Sequence, residues 1–180
     1  MDKVKILDRT FRMYLREAEI LARIREVGQQ ISKDLEGKNP LFIGVLNGAF
    51  MFAADLIREI TIPAEISFVK MASYEGMESS GKVSDLIGLN ESIEGRHVVI
   101  VEDIIDSGLS MSHLVKQIKA KKPADVRICS LLVKPGNLQV ELDIPYCCFR
   151  IPNDFIVGYG LDYDRYGRGL RDIYVVTDED

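Results

Sequence analysis
The sequence predicts an α/β fold with a mostly parallel central sheet flanked by helices. Two observations carry this expectation. Short apolar runs alternate along the chain with segments of helical periodicity, as a parallel sheet with helical crossovers requires. One of those runs, His97–Val101 (HVVIV), is β-branched almost throughout, the pattern of a strand buried on both faces.

The elements follow in order. Phe11, Met13 and Leu15 alternate and predict a short edge strand. Residues 16–36 read as an amphipathic helix, with Ile20, Ile24, Val27, Ile31 and Leu35 at steps of three or four. Gly37, Asn39 and Pro40 end it. Leu41–Leu46 is an apolar strand, followed by Asn47-Gly48 and a helical pattern over 49–60. Pro63 separates that helix from a strand at Glu65–Met71. Residues 72–82 (ASYEGMESSGK) are small and polar and predict an exposed, mobile loop, with a further strand at Val83–Leu89. After HVVIV, a helix is expected from Ser110 to Ala120 and a buried strand at Val126–Val133. Short strands at 147–151, 155–158 and 173–176 complete the chain.

The chain has 180 residues, 47% hydrophobic and 28% charged, which suits a single globular domain spanning 1–180. A net charge of −5 argues against nucleic acid as a general partner. No apolar run is long enough to span a membrane, and the charged start, Met1 to Arg9, has no signal-peptide core. The three cysteines, Cys129, Cys147 and Cys148, form no C-x-x-C pair and read as reduced thiols of a cytoplasmic protein.

The chemistry concentrates after HVVIV. Glu102, Asp103 and Asp106 crowd the C-terminal end of a central strand, where open α/β sheets bind ligands. Crowded acids repel one another unless a polyol, a metal or a proton intervenes. Ser107-Gly108-Leu109-Ser110 then opens a helix whose free N–H groups and small residues suit a phosphate. Acids beside a phosphate cradle fit a sugar phosphate. The competing reading is that Asp106 or Ser107 caps the helix. The turn is neither a P-loop nor a dinucleotide-binding turn, since no Lys follows the glycine and glycines are few.

VVIVEDIIDSGLSM resembles the phosphoribosyl-pyrophosphate signature of the type I phosphoribosyltransferases. GVLNGAFMFAADL, SYEGMESSGKV, LLVKPG and IPNDFIVGYGLDYDRYGRGLRDI resemble, in order over about residues 40–175, the hypoxanthine-guanine branch of that family. The resemblance implies the type I phosphoribosyltransferase fold, with a small hood lobe from about 1–15 and 147–180. It implies purine salvage: transfer of 5-phosphoribosyl to N9 of hypoxanthine, and of guanine, giving IMP or GMP and pyrophosphate. It implies Mg²⁺ as cofactor, and a homodimer or homotetramer.

The resemblance also implies roles. Asp106 is the general base near the purine N7. Glu102 and Asp103 hold the ribose hydroxyls and join Asp162 in the metal set. Ile105, Ser107, Gly108, Leu109 and Ser110 belong to the 5′-phosphate site. Asn47 and Gly48 form the pyrophosphate loop, where a non-proline cis peptide is expected. Ser73 and Tyr74 belong to a lid that excludes water from an oxocarbenium-like transition state. Lys134 donates to the purine O6, Phe155 stacks on the base, the Ile156 backbone meets the purine edge, and Arg168 meets the pyrophosphate.

Locally, each of these has a plainer reading. Lys134 closes an apolar strand and would snorkel to water. Phe155 would be core, Asp162 a surface turn acid, and Arg165, Arg168 and Arg171 solvated charges. Three positions depart from the family's pattern: Asn47 where many members have Lys, Leu109 where many have Lys, Arg or Asn, and Asn153-Asp154 where Asp-Lys is frequent. The rivals to the enzyme are a transferase for another base, a nucleic-acid-binding regulator that keeps the ligand site, and a sugar-phosphate binder without turnover.

Overall fold
The computed structural model describes residues 2–71 and 88–177. The expected loop at 72–82, with Ser73 and Tyr74, and most of the expected strand at 83–89 lie outside the described residues. In chain order the elements are β1 (Lys3–Ile6), β2 (Arg9–Leu15), α1 (Glu17–Asp34), β3 (Leu41–Leu46), α2 (Phe50–Arg58), β4 (Glu65–Lys70), β5 (His97–Ile105), α3 (Leu109–Ala120), β6 (Asp125–Val133), β7 (Tyr146–Arg150), β8 (Ile156–Val157) and β9 (Ile173–Val176). A single 3₁₀ turn, Pro135–Asn137, follows β6.

Five strands form a parallel sheet in the order β4-β3-β5-β6-β7. The chain passes outward from β3 to β4 and then returns to the other side of β3 to lay down β5. The strand order therefore reverses between β3 and β5, and the crevice at their C-terminal ends is where such a sheet takes a ligand. Helices cover both faces. On one, Ile20 and Ile24 of α1 and Phe52 and Leu56 of α2 pack in one cluster with Val99 and Val101. On the other, Met111, Leu114 and Ile118 of α3 pack in a second with Val98 and Ile100. The β-branched run thus feeds both cores by alternation.

α1 forms as its spacing predicts, because its buried positions fall on one stripe. Its start is closed by Glu19, whose carboxylate accepts from the Arg16 backbone N–H at 3.0 Å. β5 runs further than HVVIV, to Ile105, so Glu102 and Asp103 stand on the strand and not in the turn after it. Pairing with β6 carries it on, with Glu102 opposite Ser130 and Ile105 opposite Val133. Tertiary pairing here overrides the weak strand propensity of acids.

A second, antiparallel sheet has the order β1-β2-β9-β8. It encloses a small core of Ile6, Phe11, Val157 and Tyr174. β2 was expected at an edge, but it lies between β1 and β9; Lys3–Ile6, where no strand was expected although its lysines alternate with Val4 and Ile6, pairs with it. The hood boundary expected at 147 also moves. Tyr146–Arg150 pairs with β6 as the last strand of the parallel sheet, so the C-terminal segment gives the small sheet only β8 and β9. No helix among the described residues is long and apolar enough to cross a membrane.

Candidate active site
The C-terminal ends of β3 and β5 meet at the switch point. β3 ends in a cis peptide between Leu46 and Asn47. The next residue, Gly48, lies against β5 so tightly that a Cβ there would fall 1.8 Å from Asp103 Oδ2. On its other side its carbonyl oxygen faces Gly160, where a Cβ would sit 2.3 Å from it. Gly160 also has φ +99°, a region that side chains avoid. Two glycines therefore let three segments converge: the loop after β3, the acids on β5, and the loop after β8.

The acids of β5 are arranged by their own backbone. Asp103 N–H donates to Glu102 Oε1 at 3.1 Å, and Ile104 N–H donates to Asp103 Oδ1 at 2.8 Å. Burial first, and then the neighbouring Asp103 charge, push the Glu102 carboxyl well above the usual range. The pair holds a full double charge poorly unless hydroxyls or a cation share it.

After β5 the chain turns through Asp106-Ser107-Gly108 into α3. Glu102 and residues 105–108 line a cavity of about 140 Å³ together with Ser110. Ile105 lends the cavity its edge while its side chain stays buried in the core. Gly108 is the N-cap, with a left-handed backbone, and no side chain caps the helix there. Leu109 N–H donates to Ser107 Oγ at 3.3 Å, so the capping reading holds in a weak form for Ser107 and fails for Asp106. Leu109 is exposed.

Asp106 has other partners. Lys134 Nζ donates to its Oδ2 at 3.0 Å, and Asn137 Nδ2 donates to its Oδ1 at 2.7 Å. These bonds, Asn137's first, hold the Asp106 carboxyl below its ordinary range despite partial burial. Lys134 does not snorkel to water: it is 7% exposed and turned inward. The same segment is laced to the turn by backbone bonds, Lys134 N–H to Ile105 O at 3.0 Å and Gln139 N–H to Ser107 O at 2.9 Å. Asn137 was not singled out from the sequence. It lies 31 residues from Asp106, and nothing local announces the contact.

The antiparallel sheet supplies a second wall. Phe155 is 43% exposed rather than core, and lies edge-on to Tyr163 and tilted against Phe11, with ring centroids 5.8 and 6.3 Å away. Phe155 O accepts from Val176 N–H at 2.9 Å. Strand alternation then turns the N–H and C=O of Ile156 toward the open edge of β8, away from β9. Asp162 is a turn acid in part, since it accepts from Arg165 N–H at 2.7 Å. It is also the partner of Arg168, whose Nη2 lies 2.8 Å from Asp162 Oδ1 and whose Nη1 donates to Gly160 O at 2.7 Å. Arg168 is therefore tied into the loop that touches Gly48. Arg171 pairs with Glu17 on the surface.

Among the described residues no group of three His, Cys, Asp or Glu side chains converges as a ready-made metal cage. Mg²⁺ does not need one, because it takes one or two carboxylates and completes its shell with water and phosphate oxygens. The hard oxygens of Asp162, Glu102 and Asp103 fit that requirement, and the raised Glu102 carboxyl is a group a cation would relieve.

Comparison with known proteins is consistent with this geometry. The phosphoribosyl transferase domain family matches residues 12–164. The hypoxanthine-guanine phosphoribosyltransferase of Streptococcus thermophilus is 42% identical over 164 residues, covering 91% of each chain. The bifunctional protein TilS/HprT of Listeria monocytogenes is 42% identical over 169 residues, which are 93% of this chain; the chain spans about a quarter, 26%, of that relative's length. Among solved structures, a hypoxanthine-guanine phosphoribosyltransferase of Bacillus anthracis superposes with a TM-score of 0.83 at 37% identity, covering 92% of this chain and 96% of its own.

Proposed function
The chain belongs to the phosphoribosyl transferase family, and from that premise we propose that it acts in purine salvage as a hypoxanthine-guanine phosphoribosyltransferase. It joins the purine N9 to C1 of 5-phosphoribosyl-1-pyrophosphate and releases pyrophosphate. One observation supports the reading: the Asn47-Gly48 loop, the paired acids Glu102 and Asp103 and the Ser107–Ser110 helix start meet at the switch point of a parallel sheet, an arrangement suited to a sugar phosphate.

In this reading the ribose hydroxyls donate to Glu102 and Asp103 and the 5′-phosphate accepts from the Ser107–Ser110 turn. Asn47-Gly48 presents backbone donors to the departing pyrophosphate, and Arg168 adds a fixed cation. Asp162, with Glu102 and Asp103, would hold Mg²⁺. Bound there, the ion neutralises charge on the pyrophosphate oxygens. The purine lies between Phe155 and the β5–β6 end, its edge on the Ile156 backbone. An ammonium carries three N–H donors, so Lys134 keeps one on Asp106 and turns another to the purine O6. A 6-oxo group is selected because an amino group there would face a second donor. Asp106, ionised and aimed by two donors, accepts the N7 proton as N9 attacks.

The decisive assay mixes the protein with phosphoribosyl pyrophosphate, Mg²⁺ and each of hypoxanthine, guanine, xanthine, adenine and uracil. IMP and GMP form, and EDTA abolishes both. Uracil or adenine as the preferred base would overturn the assignment, as would the absence of any nucleotide. Asn153-Asp154 precede Phe155 and supply no cation to the base segment, and hypoxanthine is expected to serve at least as well as guanine.

A further inference from the structure
Asn137 donates through one nitrogen to two acceptors: Asp106 Oδ1 at 2.7 Å and Asn153 Oδ1 at 2.6 Å. Both contacts are direct, and they join segments that are 31 and 16 residues away in sequence. The orientation of the chain of amides follows from chemistry. An ionised carboxylate only accepts, so Asn137 presents its NH₂ to Asp106. Its second N–H then requires Asn153 to present the carbonyl oxygen. The charge on Asp106 thereby sets the orientation of Asn153, two residues before Phe155.

We propose that Asn137 is a positioning residue for the transferase reaction, which aims Asp106 at the purine and couples it to the base-binding segment through Asn153. The proposal rests on Asp106 being the proton acceptor described above. Lys134 alone holds only Oδ2 and leaves the carboxylate free to rotate about its Cβ–Cγ bond; the second donor, on Oδ1, fixes the plane. Asn137 sits in a 3₁₀ turn whose backbone is already anchored, Asn137 N–H donating to Lys134 O at 3.0 Å. Its side chain is therefore not needed to hold the turn. When Asp106 takes the purine proton its charge is lost, and the hydrogen bonds that Lys134 and Asn137 donate to it weaken as product forms.

The test compares Asn137→Leu, Asn137→Asp and Asp106→Asn with the wild-type protein, in steady-state kinetics and thermal melting. Leu removes the donor. Asp keeps the shape and polarity of Asn but sets an acceptor against the Asp106 carboxylate. The expected result is a loss in kcat of about tenfold for Asn137→Leu, the worth of a hydrogen bond to a charged group. A larger loss is expected for Asn137→Asp, with KM for phosphoribosyl pyrophosphate within about twofold in both and melting unchanged. A merely structural side chain gives the opposite order, since Asp is the milder replacement. Wild-type kcat in both Asn137 variants, or a greater loss in Asn137→Leu than in Asn137→Asp, overturns the proposal. If Asp106→Asn retains full activity, the proton-acceptor reading itself fails. If Asp106→Asn is impaired while the Asn137 variants are not, only the positioning role fails.

Discussion

Gly48 and Asp103 approach so closely that no side chain fits between them: a Cβ on Gly48 would lie 1.8 Å from one carboxylate oxygen and 2.6 Å from Cγ of Asp103. The loop after β3 and the acid on β5 are thus held at a fixed distance by the absence of one carbon. Gly48→Ala forces either the loop or Asp103 to move. Overpacking of this kind costs about 1–3 kcal/mol, so the variant stays folded. A displacement on the order of 1 Å at reacting groups costs about 10²-fold in rate. The expected outcome is a fall in kcat/KM of about that size with a modest drop in Tm, read by steady-state kinetics and thermal melting.

Asp162 and Arg168 pair at 2.8 Å. In the proposed reaction the pyrophosphate would have to break or share that pair. Arg168→Met removes the cation and leaves Asp162 free, and raises KM for phosphoribosyl pyrophosphate by about tenfold or more, the value of a charge-assisted contact. Asp162→Asn acts on the other side and raises the Mg²⁺ concentration needed for half-maximal rate. Magnesium titrations of the two variants separate the roles.

Phe155 offers an exposed aromatic face backed by Tyr163 and Phe11. Phe155→Ala removes the platform and one aromatic pair worth about 0.5–1.5 kcal/mol. KM for hypoxanthine rises by about tenfold while KM for phosphoribosyl pyrophosphate stays put. Equal change in both constants would place the ring outside the base site.

Tyr146 gives a prediction away from the site. Its hydroxyl donates to Asp34 Oδ2 at 2.8 Å and accepts from Arg127 at 2.9 Å. Burial, and then the bond to Asp34, push the phenol up to about 12. In the unfolded chain it titrates near ~10. The folded value is the higher, so the contribution of Tyr146 is intact below the unfolded pKa and is lost as pH rises from there through about 12. Urea unfolding at increasing alkaline pH therefore shows a steeper loss of stability in the wild type than in Tyr146→Phe. At neutral pH that variant is less stable by about 1–3 kcal/mol, from the loss of two part-buried hydrogen bonds to charged partners.

Much of the site was legible because its chemistry is local. Glu102, Asp103 and Asp106 stand within five residues of one another, next to a turn of small residues, and the β-branched run before them placed them at a sheet end. The parallel sheet was legible for the same reason, since a strand buried on both faces leaves an unbroken apolar run. What was missed is one short local hairpin and several pairings at longer range. No strand was expected at Lys3–Ile6 although Lys3-Val4-Lys5-Ile6 alternates; its partner is β2 itself, across the two-residue turn Leu7-Asp8. The apolar run ends at Val101, with Glu102 and Asp103 after it, and pairing with β6 extends the strand through them. Asn137, the Gly48–Asp103 approach and the Asp162–Arg168 pair depend on where other segments lie. Asp162 and Arg168 were singled out as separate functional groups, and their mutual pairing emerged only in three dimensions.

The small sheet makes the two ends of the chain depend on each other. β8, whose edge carries the Ile156 backbone, is paired within its sheet only to β9, and β9 is also what ties it to β2 at the other end of the chain. The parallel layer and its acids need nothing beyond Arg150 for their strand pairings. Ile156, Tyr159, Leu161, Ile173 and Val175 nevertheless share one core cluster with Ile20, Ile24, Val99 and Val101. The parallel layer can therefore pair its strands early, but the core on this face closes only when the last strand of the chain is in place, so both ends of the polypeptide lock together in one step.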